Sequence, residues 1–195
     1  MGRNYRDHAR EMGNDVPVEP LLFLKPSSSV IPGGAAIELP AGAGRVDYEG
    51  EIGVVVGATL RHASEPEARR AIRGIVAAND VSARDWQQHD GQWARAKGCD
   101  TFLPLGPEAP APDDLSGLTV VTRHNGRETQ RATGGDMVFA IPFLLAYVSR
   151  YMTLEPGDVL LTGTPAGVAP LAPGDTVEVE IVGVSRVSNP VVAGR

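Results

Sequence analysis

The segment VDYEGEIGVVVGATL, residues 46–60, constrains the fold most: its Val and Ile residues alternate with small or acidic ones in the two-residue period of a long, half-buried β-strand. Side chains two apart leave the same face of a strand, so Glu49 and Glu51 point the same way whatever sheet surrounds them. Carboxylates that close repel each other unless a cation or a proton relieves them, and Gly50 between them leaves room for a group to approach the backbone. An E-x-E pair is also the ordinary solvated face of an edge strand, where water does the relieving.

Around this strand the chain is cut into short pieces. RNYRDHAREM, residues 3–12, has good helix formers and ends at Gly13, a suitable C-terminal cap. LLFLKP (21–26) reads as a short strand stopped by Pro26, and the Ser-, Gly- and Pro-rich stretch after it as turn and short strand. Residues 65–73, EPEARRAIR, read as a helix with Pro66 in its first turn, and GIVAAND (74–80) as a buried strand with polar residues at its end. Residues 82–98 are polar and aromatic without clean periodicity. Asn125-Gly126 marks a hairpin between two strand-like runs. Asp136 to Tyr151 reads as a helix with Pro142 in or starting it, and DVLLTGTP and DTVEVEIVGVSRV return to strand. The expected fold class is α+β, mostly β. No internal repeat and no G-x-G-x-x-G in a βαβ unit occurs, so neither a solenoid nor a dinucleotide fold is supported.

At 195 residues one domain spanning 1–195 is expected. The apolar run Phe139 to Val148 is interrupted by Pro142 and falls short of the roughly 20 residues a bilayer span needs, so no membrane partner is expected. MGRNYRDHAREMG has no apolar stretch to act as a signal peptide and is too acidic for a transit peptide, which points to the cytoplasm. Eighteen Lys and Arg against 24 Asp and Glu leave a formal charge of -6, a surface that repels nucleic acid while still admitting a small anion to a locally basic pocket. Cys99, the single cysteine, has no partner for a disulfide or a sulfur metal site and is expected to be a packed thiol.

Asp80, at the end of the 74–80 strand, is a third candidate oxygen ligand beside Glu49 and Glu51. An all-carboxylate set favours Mg²⁺, Mn²⁺ or Ca²⁺ over Zn²⁺, and three ligands leave positions for water and substrate. His8 and Glu11, three apart on the short helix, share a face; paired, Glu11 orients the imidazole as a general base, and unpaired they are solvated surface residues. Three carboxylates with one divalent ion keep a charge of about -1, so an anionic substrate needs basic partners, for which Lys25, Arg84 and Lys97 are candidates. Each, by itself, also fits an ordinary surface or salt-bridge residue.

GRNYRDHAREMG, LLFLKP, VDYEGEIGVVVG, NDVSARDWQ, QWARAKGCDTFLPLGP and LTGTPAGV, in this order, resemble the fumarylacetoacetate hydrolase family, and the resemblance runs from Gly2 to the closing VSRVSNPVV. It is closest to the single-domain acylpyruvate hydrolase branch. The resemblance implies a mixed β-roll with few short helices, a homodimer, Mg²⁺ or Mn²⁺ on Glu49, Glu51 and Asp80, and a water-activating His8–Glu11 pair on a lid formed by residues 1–13. It also implies that Lys97 contacts a developing oxyanion or enolate, while Lys25, Arg84, Gln87 and Thr164 hold the substrate. Such proteins usually carry a strand or more before the GRNY motif, so a short N-terminal segment is expected here. The implied activity is metal-dependent cleavage of the carbon-carbon bond of acylpyruvates such as fumarylpyruvate or acetylpyruvate. The alternatives are a 2-hydroxyhepta-2,4-diene-1,7-dioate isomerase or oxaloacetate-type decarboxylase using the same enolate, and a family member that binds metal or ligand without catalysis.

Overall fold

A computed structural model describes residues 1–194. In chain order, the first half contains α1 (Arg6–Glu11), β1 (Val30–Pro32), β2 (Ile37–Leu39), β3 (Val46–Asp47), β4 (Gly50–Val56), α2 (Glu65–Arg70), β5 (Ile72–Asn79), β6 (Ser82–Ala83), α3 (Arg84–His89) and α4 (Ala94–Gly98). The second half adds β7 (Leu103–Leu105), β8 (Ala109–Pro110), β9 (Thr119–His124), β10 (Arg127–Thr133), α5 (Ile141–Ser149), β11 (Val159–Leu161), β12 (Thr176–Ile181) and β13 (Ser185–Ala193). Strands dominate and every helix is short, which is the α+β, mostly β class.

One sheet runs β1-β7-β5-β4-β11, with β8 paired to β5; a second runs β10-β9-β12-β13-β2. Among the described residues only the β1–β7 and β13–β2 pairs are parallel. The sheets pack face to face. Ile52, Val54 and Val56 of β4 meet Val120, Val179, Ile181 and Val187 of the second sheet in the main core, which α2 and α5 close at one end. A second core gathers Tyr48, Val81, Phe102, Val177 and Val191.

The long strand expected over 46–60 is two strands. Val46 and Asp47 pair with Ala83 and Ser82 of β6, the chain turns out at Tyr48 and Glu49, and β4 starts at Gly50. All seven residues of β4 are buried, so it is covered on both faces rather than half-buried. Gly50 allows the close approach of the sheets: a Cβ there would lie 1.9 Å from Thr122 Oγ1.

LLFLKP is not a strand. It makes a single bridge, Leu21 to Gly2, and leaves Leu24 exposed, because no strand runs beside it to accept its hydrogen bonds. The helix expected over 65–73 ends at Arg70, where β5 takes over at Ile72, and that expected over 136–151 begins only at Ile141, with Pro142 in its first turn. The Asn125-Gly126 hairpin forms as expected, with φ of 51° and 78° at its two central residues. Residues 82–98 resolve into β6, α3 and α4, pieces too short to show a period.

Candidate metal centre

Glu49, Glu51 and Asp80 meet because β4 and β5 are antiparallel neighbours. Gly50 pairs with Asn79, so the residues flanking that pair, Glu49 and Asp80, emerge side by side, and the Asp80 amide donates to the Glu49 carbonyl at 2.8 Å. Asn79 fastens the same corner by accepting from the Glu49 amide at 3.0 Å. One carboxylate oxygen from each of the three lies within 4.8 Å of the other two, and all three side chains are buried. The solvated-edge alternative fails, since β4 lies between β5 and β11 with no water-facing side.

Buried cations answer most of this charge. Lys97 Nζ donates to Glu49 Oε2 at 2.6 Å and to Asp80 Oδ2 at 2.8 Å. Lys25 Nζ donates to Asp80 Oδ1 at 2.8 Å and also to the Lys97 carbonyl. Arg84 Nη2 lies 2.7 Å from Glu49 Oε1, an ion-pair contact whose angle is too poor for a hydrogen bond. Burial disfavours charge on Glu49, but Lys97 and Arg84 outweigh it and hold its carboxyl far below the usual range. Asp80 is likewise lowered, Lys25 and Lys97 overcoming its burial. Burial prevails at Lys25, whose ammonium is pushed down, whereas Asp80 and Glu49 overcome burial at Lys97 and raise it.

Glu51 is the exception. Its Oε2 accepts from the Gly163 amide at 2.5 Å, its Oε1 is buried without a hydrogen-bond partner, and no Lys or Arg among the described residues pairs with it. Burial pushes its carboxyl up to about 8 against the opposing Met1 ammonium, with the Asp80 and Glu49 charges adding to the effect. An orphaned carboxylate oxygen beside two more, in a set with no nitrogen or sulfur donor, fits a hard divalent cation of the Mg²⁺ or Mn²⁺ type.

Above the carboxylates lies a cavity of about 300 Å³ lined by His8, Glu49, Arg84, Gln87, Lys97 and Thr164, with Met12 and Trp93 as apolar wall. The cavity therefore joins residues from α1, the β4 corner, α3, α4 and the TGTP loop. His8 Nδ1 lies 3.2 Å from Glu11 Oε2, the contact expected of an i, i+3 pair. Glu11 is itself held from the far side, accepting from the Gly167 amide at 3.0 Å. Gly167 has φ of +104°, and a Cβ there would sit 2.0 Å from the Thr129 carbonyl oxygen.

Lys25 does not line this cavity; it stands behind Asp80 as its counter-ion. Thr164 lines it, yet its hydroxyl donates to the Gly50 carbonyl at 2.9 Å and accepts from Gln130 Nε2 at 2.8 Å. With its one proton engaged, the Thr164 hydroxyl meets a ligand only as an acceptor. Cys99 is the packed thiol expected, half-buried with Sγ 3.2 Å from the Arg95 carbonyl oxygen.

Two residues of the site were not singled out from the sequence. Gln130 is fully satisfied inside the core, donating to Thr164 Oγ1 and the Pro165 carbonyl and accepting from the Gly50 amide, which ties the TGTP loop to β4. It sits in a polar run, RETQRAT, that carries no mark of burial. Asp47 did carry a signal, being two before Glu49 in the same period of two as Glu49 and Glu51.

Residues 1–192 match the family model described as fumarylacetoacetate (FAA) hydrolase C-terminal. The chain belongs to the fumarylacetoacetate hydrolase family. An uncharacterized protein of Archaeoglobus fulgidus is 49% identical over 95% of this chain and 75% of its own length. The oxaloacetate tautomerase FAHD1, mitochondrial, of Arabidopsis thaliana is 39% identical over 96% of this chain and 86% of its own. The crystal structure of 5-carboxymethyl-2-hydroxymuconate delta-isomerase from Mycobacterium smegmatis superposes with a TM-score of 0.91 at 45% identity, covering 100% of this chain and 77% of that one. The fold is therefore that of the fumarylacetoacetate hydrolase family, and no helix among the described residues is long and apolar enough to cross a membrane.

Proposed function

We propose that this fumarylacetoacetate hydrolase family enzyme cleaves the carbon-carbon bond of small acylpyruvates, releasing pyruvate and a carboxylic acid. The observation that carries the reading is the meeting of the His8–Glu11 pair with Glu49, Arg84 and Lys97 around one cavity of about 300 Å³. Glu49, Glu51 and Asp80 would hold a Mg²⁺ or Mn²⁺ ion, whose chemistry there is Lewis-acid polarisation of the substrate's 2-oxo group.

The remaining work falls to the chain. Arg84 and Gln87 receive the substrate carboxylate, Arg84 through the guanidinium edge that borders the cavity. His8, oriented by Glu11, takes a proton from water as its oxygen adds to C4. The Lys97 ammonium offsets the charge that develops as the C3–C4 bond breaks, and C3 takes up the proton to complete pyruvate. The trapped geometry of His8 matters here, because Glu11 is fixed by Gly167 and cannot swing away without losing that bond. A homodimer is part of the same proposal, to be read from light scattering on the purified protein.

A second reading, tautomerisation or isomerisation of an oxo-acid, draws support from the names of the Mycobacterium smegmatis and Arabidopsis thaliana proteins. In it His8 moves a proton to or from carbon, and no water is consumed. Acylpyruvate turnover with Mg²⁺, followed by loss of the enol absorbance, separates the two. Hydrolysis should disappear in Glu49→Ala and fall by about 100-fold or more in His8→Ala, the usual range for losing a general base. Rapid enol-keto exchange of oxaloacetate with no acylpyruvate consumption would replace the first reading by the second.

A further inference from the structure

We infer that Asp47 is a positioning residue that aims Arg84 at the substrate carboxylate, an inference that rests on the oxo-acid reading of the cavity. Asp47 is fully buried, lies outside the metal-ligand trio, and is paired on both sides. Its Oδ2 accepts from Arg84 Nε at 2.8 Å; its Oδ1 accepts from Arg45 Nε at 2.7 Å, and Arg45 Nη2 reaches Oδ2 at 3.0 Å. Arg45 is 52% exposed at its side chain, whereas those of Asp47 and Arg84 are at 0% and 6%. The pairing thus runs from solvent to the cavity wall.

Three contacts define the pose of Arg84. Asp47 takes Nε, Gln87 Oε1 accepts from Nη1 at 2.9 Å, and Nη2 lies against Glu49 without a well-aligned acceptor. Arg84 lines the cavity with its guanidinium already gripped at all three nitrogens by groups of the chain, so its pose is set before a ligand arrives. An arginine side chain has four rotatable bonds, and fixing Nε holds its guanidinium at the cavity wall.

The local fold brings this pair together. β3 and β6 form a two-stranded ribbon of two residues each, in which Asp47 is directly opposite Ser82 and the Arg84 amide donates to the Arg45 carbonyl at 2.7 Å. That ribbon sets Asp47 beside the first residue of α3. It also accounts for the break at Tyr48 and Glu49: the chain leaves one sheet to place Asp47 and re-enters another to place Glu51.

The test compares Asp47→Asn, Arg84→Ala and the double variant, measuring oxalate binding by calorimetry at saturating Mg²⁺, bound metal, and kcat and KM separately. Asp47→Asn should raise the oxalate Kd and the KM by about 10-fold or more with kcat changed far less and metal content unchanged, and the double variant should be no worse than Arg84→Ala alone. Arg45→Gln, at a half-exposed position outside the cavity, should shift Kd in the same direction by a smaller factor, and gives the test a variant that leaves the buried pair in place. Wild-type oxalate affinity in Asp47→Asn or Arg45→Gln, or additive losses in the double variant, would overturn the role of Asp47. Failure of the wild-type protein to bind oxalate at all would instead strike the oxo-acid reading on which the inference rests.

Discussion

Glu51 is the residue whose environment is least settled by the protein alone. Its folded carboxyl is raised from 4.5 to about 8, so the metal-free folded state holds a proton that the unfolded chain has released. The stability that this proton contributes falls as pH rises between those two values, and a bound divalent cation, which favours the ionised form, removes the fall. Melting curves recorded from pH 5 to 8 should show the chelated protein losing roughly 5 °C or more while the Mg²⁺-loaded protein stays level. A level curve for the chelated protein would sink this account of Glu51. Glu51→Gln keeps an oxygen for the Gly163 amide and removes the charge. It should melt higher than the chelated parent at pH 8 and lose metal affinity, read by calorimetry with Mn²⁺. At this scale the sequence was legible where the argument was local, as with the shared face of Glu49 and Glu51 or the His8–Glu11 spacing. It was silent on Gln130, because nothing in RETQRAT distinguishes a glutamine that binds three backbone and side-chain groups from one that binds water.

At the scale of elements, α1 is the weak member. Six residues make less than two turns, too few to be stable alone, and of them His8 and Ala9 are buried. What holds it is a backbone bridge from Tyr5 to Met137, the Val138 amide donating to the Asn4 carbonyl at 2.8 Å, and side-chain bonds at its two ends. Fully buried Asn4 donates to the Phe139 and Thr162 carbonyls and accepts from the Phe139 amide, and Glu11 binds Gly167. Asn4→Ala leaves those three backbone groups unpaired and should cost about 2–4 kcal/mol, seen by urea denaturation. Hydrogen exchange should show the α1 amides opening well before those of β4 and β5, with Glu11→Ala speeding α1 and leaving the strands unchanged. Equal protection in α1 and β4 would contradict this ranking of their stabilities. The misread LLFLKP belongs here too. Its apolar run has the composition of a strand, but a strand exists only where a neighbour accepts its hydrogen bonds, and that neighbour is chosen by the rest of the molecule.

Across the whole molecule, Arg45, Asp47, Arg84, Glu49, Lys97, Asp80 and Lys25 form one run of alternating charges from the surface to the interior. Buried charges that are paired in this way do not force the fold apart when the metal is removed. Exhaustive chelation at pH 6 should therefore leave far-ultraviolet circular dichroism unchanged at 25 °C while abolishing turnover, with the melting temperature lowered but the transition still cooperative. Loss of the β-signal on chelation would show that the ion, and not this network, holds the centre. By itself the sequence determined that Glu49 and Glu51 share a face, that the hairpin turns at Asn125-Gly126, and that short strands outnumber helices, since each of these follows from neighbours along the chain. Only the tertiary structure decided that the acidic face is buried and that Asp80, Lys97 and Arg84 meet it. Alternation reports which side chains point together but not what covers them, and the cover on the acidic face comes from the TGTP loop, whose Gly163 amide binds Glu51, and from Lys97, Arg84 and Lys25, which lie elsewhere in the chain.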